Sequence, residues 1–383
     1  MRARRGYTAR GDERSAARDI ARQIAQPDAA FVLAFASCHY DPHAIARELQ
    51  RALDPVPVYG CTSIAEIGPF GFATRRCVAV SVASRRLRVG VGCASGISAA
   101  ALRAGHRAIC RAAQDLGRQP DELTPSRHVV LCLVDWRCKS EELFAAGAGA
   151  TVPWLTLVGG SASDDADLAP PGEGGHAARI LYRGEAITDA ALILLIESDG
   201  PMVPIVSEHM IPGEGRVVVT GADPAERLVT GLDGKPAVAR YREITGLGDQ
   251  LDNELAGKHP FGYFVGGRAY VRSVMGIEGD CLRFACGIDR GTVLVPMRPG
   301  DILTATDRAL ADAADRLGAP MELLIAFNCY GRYLECMRDG TLDALGAILA
   351  RYPVVGFNTF GEQVNTLHVN HTLTGIAFGR SDG

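Results

Sequence analysis

Polar and reactive side chains in this chain collect where apolar runs end, and three such places carry most of the chemistry. The first is Asn328-Cys-Tyr-Gly-Arg332, directly after the apolar run Leu323–Phe327. An arginine leaving a buried strand beside Asn328 and Cys329 can grip a carboxylate through two parallel N–H bonds. Its plainer role is an ion pair with Glu335. The second is Gly356-Phe-Asn-Thr-Phe-Gly-Glu362, where Thr359 and Glu362 follow a strand. Glu362, like Glu66 in the earlier Gly60-Cys-Thr-Ser-Ile-Ala-Glu66, can receive an ammonium group or act as a base. Either carboxylate can equally brace a loop. The third is His368-Val-Asn-His-Thr372. Read as a strand, it sends Asn370 and His371 to opposite faces, Asn370 with Thr372 and His371 with Leu373. His368 reads as a rim residue.

Two thiols stand out. Cys61 and Cys329 follow a glycine and an asparagine at strand ends that read as comparable. A thiolate nucleophile there needs a base, and His39, His368 and His371 are the candidates. A small buried thiol beside a turn is the structural alternative. Thr62, next to Cys61, belongs with the same candidate ligand groups. Gly159-Gly-Ser-Ala-Ser offers backbone amides to a phosphate, but no P-loop lysine follows it.

These groups are positioned by a unit that recurs three times: apolar strand, helix, proline, second strand. The copies start at Phe31, Val129 and Leu323, and their second strands lead into the segments at Gly60, Gly159 and Gly356. In each, an acid follows the glycine by six positions, at Glu66, Asp165 and Glu362, which reads as internal repetition. Antiparallel-looking strands follow each unit. The pattern predicts an α/β fold of mixed β-sheets with helices on the outer faces. We expect a tail and helix over 1–28, one domain over 29–200 and a second over 201–383. Met1 to Arg5 reads as a solvated basic tail. Ala166–Gly175, rich in Pro, Gly and Asp, reads as a solvated loop.

Composition excludes several classes. The chain has 383 residues, 47% of them hydrophobic, and no run approaches the 18 apolar residues of a membrane span. A net charge of −4 and the lack of a basic-aromatic stripe argue against nucleic acid. The eleven cysteines are scattered, often inside apolar runs, with no C-x-x-C pair. That argues for reduced thiols, a cytoplasmic location and no structural zinc site.

Taken together, Gly60–Glu66, Gly159–Asp164, Leu232-Asp-Gly-Lys-Pro236, Asn328–Arg332, Gly356–Glu362 and Asn370-His-Thr372 resemble the signature stretches of FIST domain proteins. The resemblance runs from about residue 30 to 380, in the order of an N-terminal and a C-terminal half. It implies a sensory module that binds a small polar ligand, with amino acids as the proposed class, and a signalling partner acting in trans. No kinase, receiver or cyclase segment is recognisable in the chain. It departs from the family's commoner Gly-Glu ending at Ala65-Glu66. Some members of the family resemble haem-based nitric oxide sensors, so haem is one alternative, although no Cys-x-x-Cys-His attachment is present. A cysteine enzyme built on the same residues is the other.

Overall fold

The computed structural model describes residues 1–166 and 174–380; residues 167–173 of the expected solvated loop lie outside them. The first repeat runs β1 (Arg2–Thr8), α1 (Glu13–Ile24), β2 (Ala29–Ser37), α2 (Pro42–Leu53), β3 (Val58–Ser63), a hairpin of β4 (Glu66–Gly68) and β5 (Gly71–Ala73), then β6 (Cys77–Ala83). The second repeats this order: β7 (Leu87–Ser95), α3 (Ala101–Asp115), β8 (His128–Asp135), α4 (Glu141–Thr151), β9 (Leu157–Ala162), hairpin β10 (Ile180–Tyr182) and β11 (Glu185–Ile187), and β12 (Ala190–Ser198). The third opens with β13 (Met202–Glu208). A lobe of nine strands, β14–β22, between residues 210 and 299 then interrupts it, together with α5 (Ala237–Thr245) and α6 (Asn253–Ala256). It resumes with α7 (Ile302–Leu317), β23 (Met321–Cys329), α8 (Tyr330–Arg338), α9 (Leu342–Ala350), β24 (Val354–Thr359), hairpin β25 (Glu362–Val364) and β26 (Leu367–Val369), and β27 (Thr372–Gly379).

Each repeat builds four strands of a six-stranded sheet and lends its hairpin to another. The sheets run β1-β6-β2-β3-β10-β11, β7-β12-β8-β9-β25-β26 and β13-β27-β23-β24-β4-β5. In each, one parallel pair sits between antiparallel neighbours, so the sheets are mixed, as the sequence pattern predicts. The parallel pairs share one register: Ala34 faces Gly60, Cys132 faces Gly159 and Ala326 faces Gly356. A Cβ on these glycines would lie 1.7, 1.9 and 2.0 Å from the carbonyl oxygen of the residue opposite. Only glycine tolerates that approach, which explains its recurrence in all three copies.

The inner faces of the three sheets meet in one apolar core, where Phe35, Phe327 and Phe357 pack with centroids 4.7–6.1 Å apart. Helices cover the outer faces. Ile20 and Leu49 pack onto the first sheet, Ala108 and Phe144 onto the second, Leu310 and Leu349 onto the third. With both faces covered, the central strands read as continuous apolar runs. Asp12, Asp41 and Asp301 start their helices by accepting backbone N–H bonds from Ser15, Ala44 and Thr304.

Several expectations need correcting. Residues 2–8 are not a tail: they form an edge strand paired with β6 over seven residues. Its arginines are exposed while Gly6 and Thr8 are buried, a pattern that hides in a basic stretch. Asn328 and Cys329 still belong to β23, so the strand outlasts the apolar run, and α8 begins directly after it at Tyr330 and carries Arg332 in its first turn. Asn370 and His371 are not in a strand. They form the bend by which the chain crosses from β26 in the second sheet to β27 in the third, and His371 takes φ 53° to make that turn.

Candidate functional site

Strands β2, β8, β9, β23 and β24 all deliver their C-terminal ends to one side of the core, where residues from all three repeats gather. Beneath that face lies a buried polar ladder. Arg332, fully buried, donates Nε to Asn328 Oδ1 (2.9 Å), Nη2 to Thr306 Oγ1 (2.6 Å) and Nη1 to His209 Nδ1 (3.1 Å). Asn328 passes an N–H to Asn358 Oδ1 at 2.8 Å. Since Nδ1 of His209 accepts from an arginine, its Nε2 carries the proton and donates to Glu335 at 2.9 Å. Glu335 thus meets Arg332 through a histidine, not directly. Burial lowers His209 to about 4. Burial opposes charge on Glu335 too, but His209 and His371 outweigh it and hold the carboxylate at about 2. His371 Nδ1 stands 3.8 Å from Glu335, beyond hydrogen-bond range.

The other candidates are enclosed as well. Glu362 accepts the hydroxyls of Thr359 and Thr372, and Glu66 accepts Ser63 Oγ (2.6 Å) and the Arg76 N–H (3.0 Å). Burial pushes each acid up to about 8 against these donors. Thr62 Oγ1 accepts the Arg179 N–H at 2.9 Å. Asn370 Oδ1 accepts from Ser273 N (3.2 Å), and the His368 carbonyl accepts from Arg272 (2.5 Å), so both tie the inserted lobe to the third repeat. His368, 1% exposed, is no rim residue, and burial lowers it to about 4.

Strand register overturns two parallels drawn from spacing. Cys61 lies one residue after Gly60 and corresponds to Phe357, whereas Cys329 ends the other strand of its pair and corresponds to Ser37. Cys61 is sealed in the core, where burial raises its thiol well above the ordinary value. Cys329 precedes α8. Burial and the Glu362 charge raise its thiol against the backbone N–H groups of His371 and Gly331. Likewise Glu66 and Glu362 occupy one equivalent position, opposite Phe357 and Gly160, but the matching residue in the second repeat is Ile180, opposite Cys61. Asp165 belongs instead to the segment inserted before β10.

That displaced acid lies in a partly exposed cluster. Cys38 Sγ donates to Asp165 Oδ1 at 3.2 Å, and His39 Nε2 lies 3.4 Å from Asp165 Oδ2. Burial and the Asp165 bond raise the Cys38 thiol, and burial lowers His39. Alongside runs a row of half-buried rings. Trp136 meets Phe360 edge-on at 4.8 Å, Phe360 meets Tyr330 at 5.4 Å, and Tyr330 stacks on Tyr333 at 5.7 Å. Burial raises Tyr330 to about 12, and Asp165 and Cys38 are close enough to add to the rise. Arg137 forks onto Asp164 at 2.8 Å beside Trp136. The sequence named His39 and Asp165 singly. Their meeting across 126 residues, and the roles of His209, Glu335 and Tyr330, had no local signal. Two shallow depressions of about 450 and 380 Å³, near Arg18 and near His43, lie away from the candidate residues.

The architecture, three mixed sheets sharing one core and one convergent strand-end face, defines a protein of the α/β class. The FIST N domain matches residues 30–235 and the FIST C domain residues 237–365, and the chain belongs to this family. FIST domains are associated with small-ligand sensing in signalling proteins. No curated protein matches the chain. It is similar to a crystal structure of cyanuric acid hydrolase from A. caulinodans, with 10% identity, 99% of each chain covered and a TM-score of 0.37. Among the described residues, no helix is long and apolar enough to cross a membrane.

Proposed function

We propose that this is a cytoplasmic sensory protein whose small, amino-acid-like ligand binds on the strand-end face beside Tyr330, Trp136, Phe360 and Asp165. The observation that carries the reading is the contrast in exposure. The ladder around Arg332 is buried, with Nε, Nη1 and Nη2 of the guanidinium each hydrogen-bonded inside the fold, whereas this aromatic row and its carboxylate are partly exposed. Rings beside a carboxylate hold an ammonium group by cation–π attraction and ion pairing.

The ladder then serves to pass the signal on. Tyr330 opens α8, and Arg332 and Glu335 on the same helix grip His209, which sits between β13 and the inserted lobe. A ligand that shifts Tyr330 therefore pulls on the root of that lobe. The lobe exposes Ile211, Phe264, Val265 and Met275, apolar side chains that a signalling partner in trans can cover. Unpaired cysteines throughout the chain suit a reducing compartment.

Calorimetric titration with amino acids and simple amines tests the reading. Tyr330→Ala and Asp165→Asn are expected to weaken binding about 10- to 100-fold, the loss of one charge-assisted contact, with an unchanged unfolding midpoint. Unchanged binding in both variants would move the ligand elsewhere.

A further inference from the structure

Among the described residues, two groups of His, Cys, Asp and Glu bring three donor atoms within 4.8 Å of one another: His209, Glu335 and His371 in the ladder, and Cys38, His39 and Asp165 on the strand-end face. The orientation of the histidines separates them. A histidine that binds a metal gives its other ring N–H to an acceptor. His209 cannot, because Arg332 donates to its Nδ1 and so fixes the proton on Nε2, the nitrogen facing Glu335. A guanidinium so close also repels a cation. The ladder is a hydrogen-bond chain, not a metal site.

His39 is arranged the opposite way. Its Nδ1 lies 3.3 Å from Ser37 Oγ, which can accept the N–H and leave the Nε2 lone pair facing Asp165. Asp165 is itself oriented, with Oδ1 accepting the Gly175 N–H at 2.6 Å. Tetrahedral zinc, with bonds near 2.3 Å to sulfur and 2.0–2.1 Å to nitrogen and oxygen, places its donors about 3.3–3.6 Å apart. The Cys38 sulfur stands 3.2 Å from Asp165 Oδ1, His39 Nε2 stands 3.4 Å from Asp165 Oδ2, and the sulfur lies 3.7 Å from the ring's Nδ1, so a small turn of the imidazole and carboxylate closes the three donors on one ion.

We propose that Cys38, His39 and Asp165 form a binding site for a divalent ion of the zinc class, with an open fourth position. One thiolate, one imidazole and one carboxylate are borderline-soft donors that suit zinc over magnesium or calcium. The thiolate and carboxylate together neutralise the ion. The His39 and Asp165 side chains are each 18% exposed, so the remaining coordination position faces the solvent side, near Tyr330. On binding, the Cys38 S–H proton leaves to solvent as the sulfur–metal bond forms, with no change of oxidation state. The site is absent from motif logic because Cys38 and His39 are adjacent and Asp165 is distant, unlike paired C-x-x-C ligands.

The test uses the full chain, stripped with a chelator and titrated with cobalt(II) alone, then zinc(II). The expected result is one thiolate-to-cobalt charge-transfer band, bleached by one equivalent of zinc. Cys38→Ser should abolish the band. His39→Ala, a partly exposed change that spares the core, should weaken affinity at least about 100-fold, the upper end of what losing an outer-shell partner costs. Cys110→Ser is the control, since Cys110 lies 3.8 Å from His106 Nε2 on the outer face of α3. The band should survive there, and in His371→Ala. No band in the wild type, a band retained in Cys38→Ser, or a band lost in Cys110→Ser overturns the proposal. Both proposals use Asp165, but none of these readings involves the organic ligand, and Cys38→Ser and His39→Ala leave that carboxylate in place, so failure of one is distinguishable from failure of the other.

Discussion

Glu66 and Glu362 make the stability of this fold fall as pH rises through neutrality. Burial pushes both carboxyls from the usual 4.5 up to about 8. Between those values the folded chain holds two protons that the unfolded chain has released. Stability is then complete below 4.5 and is lost as pH climbs toward 8. A shift of that size is worth roughly 5 kcal/mol per group over the whole range. Glu141, which burial raises to about 7, adds a smaller loss in the same direction, while the lowered groups act at lower pH. His209 and His368, lowered to about 4 by burial, raise stability as pH climbs from about 4 to 6.5 and change nothing further above that. Glu335, held at about 2, completes its contribution below 4.5. From pH 6.5 to 8 the two acids dominate, and together they should cost roughly 3 kcal/mol. Denaturant unfolding at the two pH values measures this directly. Glu362→Gln, whose amide keeps its acceptor oxygen for Thr372 and turns an N–H to the Thr359 hydroxyl, should roughly halve the loss, and the double variant with Glu66→Gln should leave only the smaller share of Glu141. A wild-type loss below about 1 kcal/mol, or an equal loss in the double variant, would refute the claim that both acids are protonated in the fold.

Other expectations follow from single contacts. Gly159→Ala places a Cβ 1.9 Å from the Cys132 oxygen and should cost ~4 kcal/mol or more, whereas Gly96→Ala, left-handed but in open space, should cost only ~1 kcal/mol in thermal unfolding. Arg332→Met strands acceptors on Asn328, His209 and Thr306 and should lose roughly 3–5 kcal/mol in the same measurement; a neutral outcome would show the ladder to be dispensable. Arg272→Ala removes the bond to the His368 carbonyl and the stacking on Tyr263 at 4.3 Å. Hydrogen exchange should then quicken across residues 210–299 while the three sheets stay protected.

The repeating unit was legible because it is local: an apolar run, a capped helix and a glycine forced by the neighbouring carbonyl all leave marks within about thirty residues. What spacing alone could not supply was hydrogen-bond register. Asp165 shares the six-residue offset of Glu66 and Glu362, yet the equivalent position is held by Ile180, because a segment is inserted between β9 and β10. Cys61 and Cys329 looked alike for the same reason and lie on different strands of their pairs. The candidate site was half legible. Arg332, Glu362 and Asn370 do converge near the strand ends, but whether a polar strand-end residue faces the rim or the interior depends on packing from other repeats. His209 reaches Glu335 across 126 positions, and no local pattern announces such a contact.

The exchange of hairpins has a consequence for how this chain can be divided. The first repeat completes the third sheet, the second completes the first, and the third completes the second. Cut the chain near residue 200 and only the first sheet keeps all six strands. The second sheet loses β25 and β26, leaving β9 with a bare edge, and the hairpin of β4 and β5 is left with nothing to pair. Two family domains can be drawn along the sequence, but the circuit closes only when the last hairpin arrives. A ribosome must release nearly the whole chain before any sheet beyond the first can be finished, and a truncated copy would carry an open, sticky strand edge rather than a smaller working module.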